Sequence, residues 1–543
     1  MLAPRLAELE KRAREVWKGV ERQAVIEIVR SADEAAFAIR FLSQGEADAR
    51  TFQTTLHGVA PALATFLPAL KGSGPGLPFG PSNPATASWM NGMLLEFGKI
   101  AELQRIAALE RYGLCKSERI DARTLGITLR HDTADAMDRD ANHWLGAETM
   151  RRICLLQRPP PDLKHIHYLL DSTSGVQDNW MIRYEGHEEL LECYGERALA
   201  EVFSCAEAEA LPFDANIGGR LFAEWNAVCV AALGKVFTHI AYATRLRHRN
   251  PHLLLRNLMT IPVLRKDAEE VWLETGDEPQ RVASTISHLL LDAESIKPWR
   301  EHYEIPAPFY IDAGGPWMLL PIFGALLNPV CGLVRTLRLR HGREWDTAVG
   351  GRENYFRTNI QSRFRAPRFV VPDRGFVLRR EDGSHLTDVD AAIMDRQTGT
   401  LALLQLKWPD IFGLSPRERE SRRLNLLKAN EWVDRVHSWI GGRTATEIGK
   451  ALGHGLDASI REPLLFVIPR YNARFGISTG LDHRAAWVSW SEVMRLRLEE
   501  HDLSNPLQTI ADRFKAGGAL EALDPSAKVV YNLHELEVRL DVA

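Results

Sequence analysis

Cysteine is scarce in this chain of 543 residues, and its spacing argues against two kinds of site. The six cysteines stand at positions 115, 154, 193, 205, 229 and 331, so no two of them form the C-x-x-C pair of a metal or redox motif. We interpret them as small buried residues of a protein in a reducing compartment.

A targeting or membrane segment is also lacking. Residues 1–20 carry charges throughout and have no apolar core, which argues against a signal peptide. The uncharged stretch 313–334 is long enough for a bilayer, which takes ~20 apolar residues, but it contains three prolines and four glycines. We expect a buried, interrupted segment there, no membrane partner, and a cytoplasmic protein.

The sequence contains no complete nucleotide-binding loop. Gly449 and Lys450 are followed by Ala451, where the phosphate-binding loop needs Ser or Thr. A hydrophobic content of 45% and a charged content of 25% are those of an ordinary soluble globular protein. The net charge of -4 indicates no global preference for nucleic acid. Whether the protein has a nucleic-acid-binding surface must therefore be judged from the local distribution of charge.

Composition along the chain predicts five parts. The clearest boundary is residues 71–88, which are dense in Gly, Pro and Ser and read as a linker. The predicted parts are a helical segment 1–70, the linker 71–88, a mainly helical domain 89–340, an α/β domain 341–500 and a C-terminal extension 501–543.

The most informative stretch is residues 387–408, TDVDAAIMDRQTGTLALLQLKW, which reads as two strands joined by a turn at Gly399. A period of two places Asp388 and Asp390 on one face of the first strand. The same period places Gln405 and Lys407 on one face of the second. If the strands pair, these groups converge at one end of a hairpin.

Such a cluster suits phosphodiester hydrolysis. Mg²⁺ prefers oxygen ligands and is often held by only one or two carboxylates with substrate phosphate and water. Asp390 would supply a carboxylate, Gln405 a side-chain carbonyl and Leu406 a main-chain carbonyl. Lys407 would orient or help to deprotonate the attacking water and stabilise charge on the phosphorus centre.

These residues resemble the motif of the PD-(D/E)xK nuclease superfamily, which has the restriction-endonuclease-like fold. Its motif places an Asp at the end of one strand and (E/Q)-x-K on the neighbouring strand. Asp390 corresponds to that Asp, residues 405–407 to the second half, and Glu353 to the acidic residue that many members carry on an upstream helix. Gln405 stands where Glu is commoner, as in Mrr-type restriction enzymes.

The predicted order of elements agrees with this resemblance. We expect a helix with Glu353, strands at 368–379, 387–395 and 400–407, a helix at 416–440 and a strand at 463–469, which is an αβββαβ core. The predicted fold class is therefore α+β and multidomain, with a large mainly α-helical N-terminal region followed by an α/β restriction-endonuclease-like domain.

Local charge becomes basic before the hairpin. Residues 335–380 contain twelve arginines and four acidic residues. Arginine suits bidentate contacts with phosphate. We expect the phosphate backbone of a nucleic acid to contact Arg352, Arg357, Arg363 and Arg365.

The leading hypothesis is a Mg²⁺- or Mn²⁺-dependent endonuclease acting on DNA. Asp390, Gln405, Lys407 and Glu353 form its catalytic set, and Asp388 is a second carboxylate for metal. The resemblance implies a restriction or anti-phage effector whose helical region senses or regulates, and a homodimer or another homo-oligomer that cuts both strands.

Two alternative hypotheses assign the protein to other functional classes. The neutral Gln405 favours a catalytically degenerate nuclease fold that acts as a nucleic-acid-binding or scaffold module. The third hypothesis is a mainly helical assembly protein whose motif is accidental, and a structure that places Asp390, Gln405 and Lys407 in one small cleft would exclude it.

Overall fold

The computed structural model describes residues 2–42, 45–129, 133–159, 161–273, 276–411, 413, 415–456, 461–475, 480–499, 504–515, 527–533 and 536–542. The protein is a mixed helix and strand structure with several small sheets. This confirms the coarse α+β prediction.

The first part of the chain, residues 2–340, is called the helical region below. Its elements are α1 (Leu2–Val16), α2 (Glu21–Phe41), α3 (Glu46–His57), α4 (Val59–Phe66), α5 (Pro84–Arg111), β1 (Cys115–Arg119), β2 (Thr124–Leu129), α6 (Thr133–Leu156), α7 (Leu163–Thr173), β3 (Ser174–Gln177), β4 (Met181–Tyr184), α8 (Glu188–Ser204), β5 (Asn216–Ile217), β6 (Arg220–Leu221), α9 (Phe222–Arg249), α10 (Leu255–Met259), β7 (Ile261–Leu264), α11 (Arg265–Leu273), α12 (Pro279–Leu289), β8 (Leu290–Leu291), α13 (Lys297–Glu301), β9 (Tyr310–Asp312), β10 (Trp317–Leu320), α14 (Phe323–Leu327) and α15 (Cys331–Arg340). Two short 3₁₀ turns lie at Leu67–Leu70 and Ala206–Glu209.

The predicted linker 71–88 does not separate two cores. A single apolar core includes Ala24 and Leu63 from one side of it and Phe97 and Trp225 from the other. The segment instead crosses the surface of that core, where Arg22 Nη1 donates to the Gly74 carbonyl at 2.9 Å. Sequence composition identified the loop at residues 71–83, whereas residues 84–88 begin α5. It could not tell a surface crossing from a domain boundary.

Close helix crossing explains part of this shared core. A Cβ atom at Gly98 of α5 would lie 1.8 Å from the Thr54 carbonyl oxygen of α3, so only glycine allows the two backbones to approach this closely. Leu94 and Phe97, on the same stretch of α5, are completely buried.

The uncharged stretch 313–334 is buried and interrupted, as predicted. It contains β10, α14 and the start of α15, and Gly314 has a φ of +80° at the turn before β10. Within the described residues one helix, α9, is long and apolar enough to cross a membrane, and 67% of its most apolar window is buried inside the protein.

The part of the chain from α16 to α22 is called the sheet region below. Its elements are α16 (Gly342–Gly350), α17 (Arg352–Arg363), β11 (Phe369–Val370), β12 (Phe376–Arg379), β13 (His385–Val389), β14 (Ala391–Asp395), β15 (Thr400–Lys407), α18 (Pro416–Leu427), α19 (Ala429–Ile440), α20 (Ala445–Leu452), β16 (Leu464–Pro469), β17 (Ala485–Trp487), α21 (Trp490–Glu499) and α22 (Pro506–Phe514). Two C-terminal strands follow, β18 (Ala527–Leu533) and β19 (Leu536–Val542).

A five-stranded sheet in the order β11-β14-β15-β16-β17 forms the centre of the sheet region. Strand β15 is antiparallel to β14 and parallel to β16, and β17 is parallel to β16. Helices cover both faces of the sheet. Alternate residues such as Leu404 pack with α17, α21 and α22, whereas Leu403 and its equivalents pack with α19 and α20.

Three predicted elements differ in detail from the structure. The predicted strands 368–379 and 387–395 are each divided in two, because β12 and β13 pair only with each other as a separate ribbon. The predicted helix 416–440 is divided at Lys428 into α18 and α19.

The two described parts of the predicted extension 501–543 pack against different regions of the protein. Helix α22 completes one apolar face of the sheet region through Leu507, Ile510 and Phe514. Strands β18 and β19 instead join β1 and β2 in a four-stranded sheet, with β19 parallel to β2. The chain therefore returns to the helical region, a long-range pairing that local sequence patterns do not reveal.

Buried ion pairs connect the two regions. Arg474, which follows β16, contacts Asp138 of α6 at 2.8 Å and Glu492 of α21 at 2.6 Å. Arg470 pairs with Glu209 of the helical region. Since a buried ion is costly when it loses its partner, these pairs hold the two regions in one arrangement.

The hairpin turn contains a further buried pair that can be tested. Asp395 is fully buried and accepts from Arg368 Nε at 3.1 Å, from Arg368 Nη2 at 2.8 Å and from the Gln397 amide at 3.0 Å. We expect Asp395→Ala to lower the free energy of unfolding by about 3 kcal/mol in urea denaturation. Asp388→Ala, at an exposed carboxylate, is the matched control and should cost less than about 1 kcal/mol. Equal losses in the two variants would contradict the assigned role of Asp395.

Candidate active site

The predicted hairpin is present and sets the geometry of the site. Strands β14 and β15 pair in antiparallel register from Ala391 opposite Leu404 to Asp395 opposite Thr400. Gly399 has a φ of +67° in the turn and donates its amide to the Asp395 carbonyl at 2.9 Å. This register places the residue before β14 beside the last residues of β15.

Asp390 is that residue, and its carboxylate is tied to the neighbouring strand. The Leu406 amide donates to Asp390 Oδ2 at 2.7 Å, and Gln405 Nε2 donates to the same oxygen. The Asp390 amide in turn donates to the Leu404 carbonyl at 3.0 Å. The structure therefore brings together Asp390, Gln405 and Leu406, as the sequence predicted.

Asp390 is an unusual carboxyl group because it is only 7% exposed. Its pKa is raised from 3.8 to about 6, chiefly by burial and next by the nearby Glu353 carboxylate. The Leu406 amide, Lys407 and Gln405 act in the opposite direction and lower it. A carboxyl group with such a pKa is easily neutralised, and a bound cation would remove the energetic penalty of its charge.

Glu353 reaches the site from the first turn of α17, the helix that covers β15. Its side chain is about half exposed, and its carboxylate accepts from Arg357 Nη2 at 2.6 Å. Arg357 is buried, and its Nε donates to the Asp390 carbonyl at 2.7 Å. One guanidinium thus joins the backbone of Asp390 to the second carboxylate.

Lys407 ends β15 and is half-buried, close enough to Asp390 to lower the pKa of that carboxyl group. In the part of the chain that the structure describes, its ammonium has no hydrogen-bond acceptor. Leu406 presents its amide and its carbonyl to the same side of the strand, so the carbonyl also faces the Asp390 side. An ammonium and a main-chain oxygen therefore accompany the two carboxylates.

Asp388 does not share the surroundings of Asp390. It lies in β13, its side chain is 63% exposed, and its carboxylate is 3.0 Å from His385 Nε2. Asp390 falls between β13 and β14, where the chain leaves the ribbon for the main sheet. The prediction of one continuous strand with both aspartates on one face is wrong, because the chain changes partner strands at Asp390.

The four predicted phosphate contacts have different environments. Arg352 is buried and donates to the Ala210 carbonyl at 2.6 Å and to Asp410 at 2.6 Å, so its guanidinium is used within the protein. Arg357 is also buried, as described above. Arg363 is half-buried, which lowers its pKa, and Arg365 is exposed and donates to the Ser362 carbonyl at 2.7 Å. Arg363 and Arg365 alone of these four remain open to an outside partner.

The donor atoms fit a hard divalent cation better than a soft one. Among the described residues there is no group of three or more His, Cys, Asp or Glu side chains that would form an all-protein metal cage. The available donors are the second carboxylate oxygen of Asp390, the Glu353 carboxylate and the Leu406 carbonyl. Oxygen donors with few carboxylates match Mg²⁺ or Mn²⁺ that is partly coordinated by water and phosphate. Gln405 donates its amide nitrogen to the Asp390 carboxylate, which orients that carboxylate, and the predicted use of the Gln405 side-chain oxygen as a ligand stays a prediction.

No protein-family model, curated protein or solved structure matches this chain. The interpretation of the site therefore depends on its own geometry.

Sequence reasoning missed two supporting features. Arg357 was expected to bind nucleic acid, but its position four residues after Glu353 on α17 is the spacing of an intrahelical ion pair. Gly375 lies beside the same group: a Cβ atom there would be 2.6 Å from the Val389 carbonyl and 3.5 Å from Arg357 Nη2. The helical spacing was readable from the sequence, whereas the close approach at Gly375 needed the fold.

The raised pKa of Asp390 predicts an unusual effect on stability. Ionised Asp390 destabilises the fold above pH 6, and this penalty disappears as the pH falls from about 6 to 3.8, because the pKa is higher in the folded protein than in the unfolded chain. Asp390→Asn should therefore increase the free energy of unfolding at pH 8 by up to about 3 kcal/mol in metal-free buffer. The gain should vanish near pH 4. A variant less stable than the wild type at pH 8 would contradict the assigned electrostatic penalty.

Proposed function

We propose that this protein is a divalent-metal-dependent nuclease that hydrolyses phosphodiester bonds in DNA. The observation that carries the proposal is the end of the β14–β15 hairpin, where Asp390, Leu406 and Lys407 lie together and Glu353 reaches in from α17. A buried carboxylate, a second carboxylate and an ammonium at one strand end are the groups that such hydrolysis needs.

Asp390 and Glu353 would hold the cation with the Leu406 carbonyl. When bound, Mg²⁺ or Mn²⁺ supplies Lewis-acid polarisation of the phosphate and lowers the pKa of a coordinated water. The protein contributes fixed ligands: the Leu406 amide and Gln405 hold one oxygen of Asp390, and Arg357 holds Glu353. Gln405 acts as a positioning residue in this scheme because its amide contacts the Asp390 carboxylate.

Lys407 would complete the chemistry. Its half-buried ammonium can donate to an attacking water or to a non-bridging phosphate oxygen, and it stabilises the negative charge that develops in the transition state. Because no hydrogen-bond acceptor for this ammonium lies among the described residues, it can do this without breaking a described ion pair.

The preference for DNA rests on the resemblance to PD-(D/E)xK nucleases and on exposed arginines in the sheet region. Arg365, Arg374, Arg379 and Arg380 are exposed there, and Arg374 follows the residue whose carbonyl accepts from Arg357. A restriction or anti-phage role, with regulation by the helical region and pairing of two chains on duplex DNA, extends the same resemblance.

Cleavage assays test this proposal directly. Purified protein should cleave plasmid or single-stranded DNA with Mg²⁺ or Mn²⁺ and not with EDTA. Lys407→Ala should lose about 100-fold or more in rate, because it removes stabilisation of the transition state. Lys450→Ala, at an exposed lysine of α20, is the matched control and should cleave like the wild type.

Other outcomes would favour different functions. DNA binding without cleavage, equal in the wild type and Lys407→Ala, would indicate a degenerate nuclease fold that acts as a binding module. The feature that favours this second candidate is the neutral Gln405, which stands where the resembled motif more often has Glu. Cleavage unchanged in Lys407→Ala would place the active site elsewhere.

The pKa of Asp390 also predicts how metal dependence changes with pH. Because a proton and a cation compete for the same carboxylate, the Mg²⁺ concentration for half-maximal cleavage should rise about tenfold for each pH unit below about 6. Saturating Mg²⁺ should restore much of the rate. Titrations at pH 5 to 8, with circular dichroism to verify folding, measure this. A half-maximal concentration that does not change with pH would exclude Asp390 as a ligand.

A further inference from the structure

The helical region contains a cavity of about 600 Å³ that is far larger than a water site. It lies between α1, α4, α5 and α13, and it includes the turn that follows α13. This volume is in the range of small-molecule sites, which is about 300–1,000 Å³. The cavity shares no residue with the candidate active site.

The walls are mostly small and apolar. Six alanines line the cavity, Ala3, Ala7, Ala60, Ala64, Ala101 and Ala293. Leu6, Ile296 and Trp299 supply larger apolar surface, and each of them is less than a tenth exposed. Short side chains on four surrounding elements leave the space open, and burial of an apolar ligand there would be favourable.

The polar side chains of His57, Gln104 and Tyr303 line the same cavity. The His57 ring is only 7% exposed, and the Glu102 carboxylate is 3.6 Å from its Nε2, which is beyond hydrogen-bond distance. Burial lowers the pKa of His57 to about 4, with a contribution from Arg105, so the ring is neutral at physiological pH. In the described part of the chain, the side chains of Gln104 and Tyr303 also have no hydrogen-bond partner. Gln104 and Tyr303 are half-buried, so their polar ends can form hydrogen bonds with a molecule in the cavity.

Most charged side chains around the cavity are paired. Arg300 binds Glu10, Lys297 is 2.5 Å from Glu294, and Glu304 pairs with Arg335. Because the two basic residues of the described lining, Lys297 and Arg300, already have carboxylate partners, a phosphate or carboxylate compound is disfavoured. The remaining recognition groups suit an uncharged molecule.

One wall of the cavity is connected to the sheet region. Tyr303, in the turn after α13, has a φ of +58°, a strained value for a residue with a side chain. Its neighbour His302 contacts the Ser415 hydroxyl at 3.0 Å, and Ser415 caps the start of α18. Arg335 contacts both Glu304 and, at 3.3 Å, Glu418 of α18. Helix α18 is the first element after Lys407 in the chain.

We propose that this cavity binds an uncharged, mainly apolar small molecule through His57, Gln104 and Tyr303, and that its occupancy fixes the turn that holds α18. The cavity is thus an effector site of the protein. The regulatory half of this inference rests on the proposed nuclease function, whereas the binding half stands alone.

Fluorescence titration with Prodan, an uncharged naphthalene ketone, tests the binding half. We expect saturable binding with one Prodan per chain and a blue-shifted emission, and much weaker binding of the anionic dye 8-anilinonaphthalene-1-sulfonate. Ala64→Phe should abolish the saturable binding by filling the cavity. His57→Phe should weaken it about tenfold, because it removes one buried hydrogen bond. Ala122→Phe, at an exposed alanine, is the control and should bind like the wild type.

Binding that is absent from the wild type, or that is unchanged in both cavity variants, would overturn the site. DNA cleavage with and without saturating Prodan then tests the regulatory half. We expect a change in rate of at least threefold in the wild type and none in Ala64→Phe. Saturable binding with an unchanged rate would overturn the link to α18. If no cleavage occurs at all, the nuclease proposal fails while the Prodan titration still decides the binding site.

Discussion

The register of β14 against β15 is the constraint on which the candidate active site depends. It places Asp390 opposite the end of β15, where the Leu406 amide holds its carboxylate. A shift of one residue would turn Leu404 and Leu406 from one apolar face of the sheet to the other. The cores on both faces therefore fix the positions of Asp390 and Lys407 as well as the fold.

One arginine from each region contacts the loop that follows β15. Asp410, just beyond Lys407, accepts from Arg352 at 2.6 Å and is 3.5 Å from Arg338 of α15. Burial alone would raise the pKa of Asp410, but Arg352 and Arg338 outweigh it and the pKa is lowered. Asp410 is therefore ionised, and its contacts with Arg352 and Arg338 hold the loop after β15 between the two regions. Changes in the helical region can reach Lys407 through this loop.

The hairpin could be predicted from the sequence because the residues that indicate it are close together in the chain. Alternation and the turn at Gly399 predicted β15 as residues 400–407, the bounds found in the structure. Asp388 was misplaced because a change of partner strand at Asp390 leaves no local signal. The burial of Arg352 and the return of β19 to β2 also depend on long-range packing, which composition and periodicity do not encode. The cavity of the helical region was not predicted, because alanines on four separate elements look ordinary in sequence.

Binding of Mn²⁺ measured by electron paramagnetic resonance tests the central claim most directly, because it examines the site without requiring turnover. The account predicts one Mn²⁺ bound per chain at pH 8 and its loss in Asp390→Asn. Lys407→Ala should retain Mn²⁺, since it removes a positive charge and no oxygen ligand. Equal Mn²⁺ binding by the wild type and Asp390→Asn would contradict the assignment of this hairpin as a metal-dependent active site.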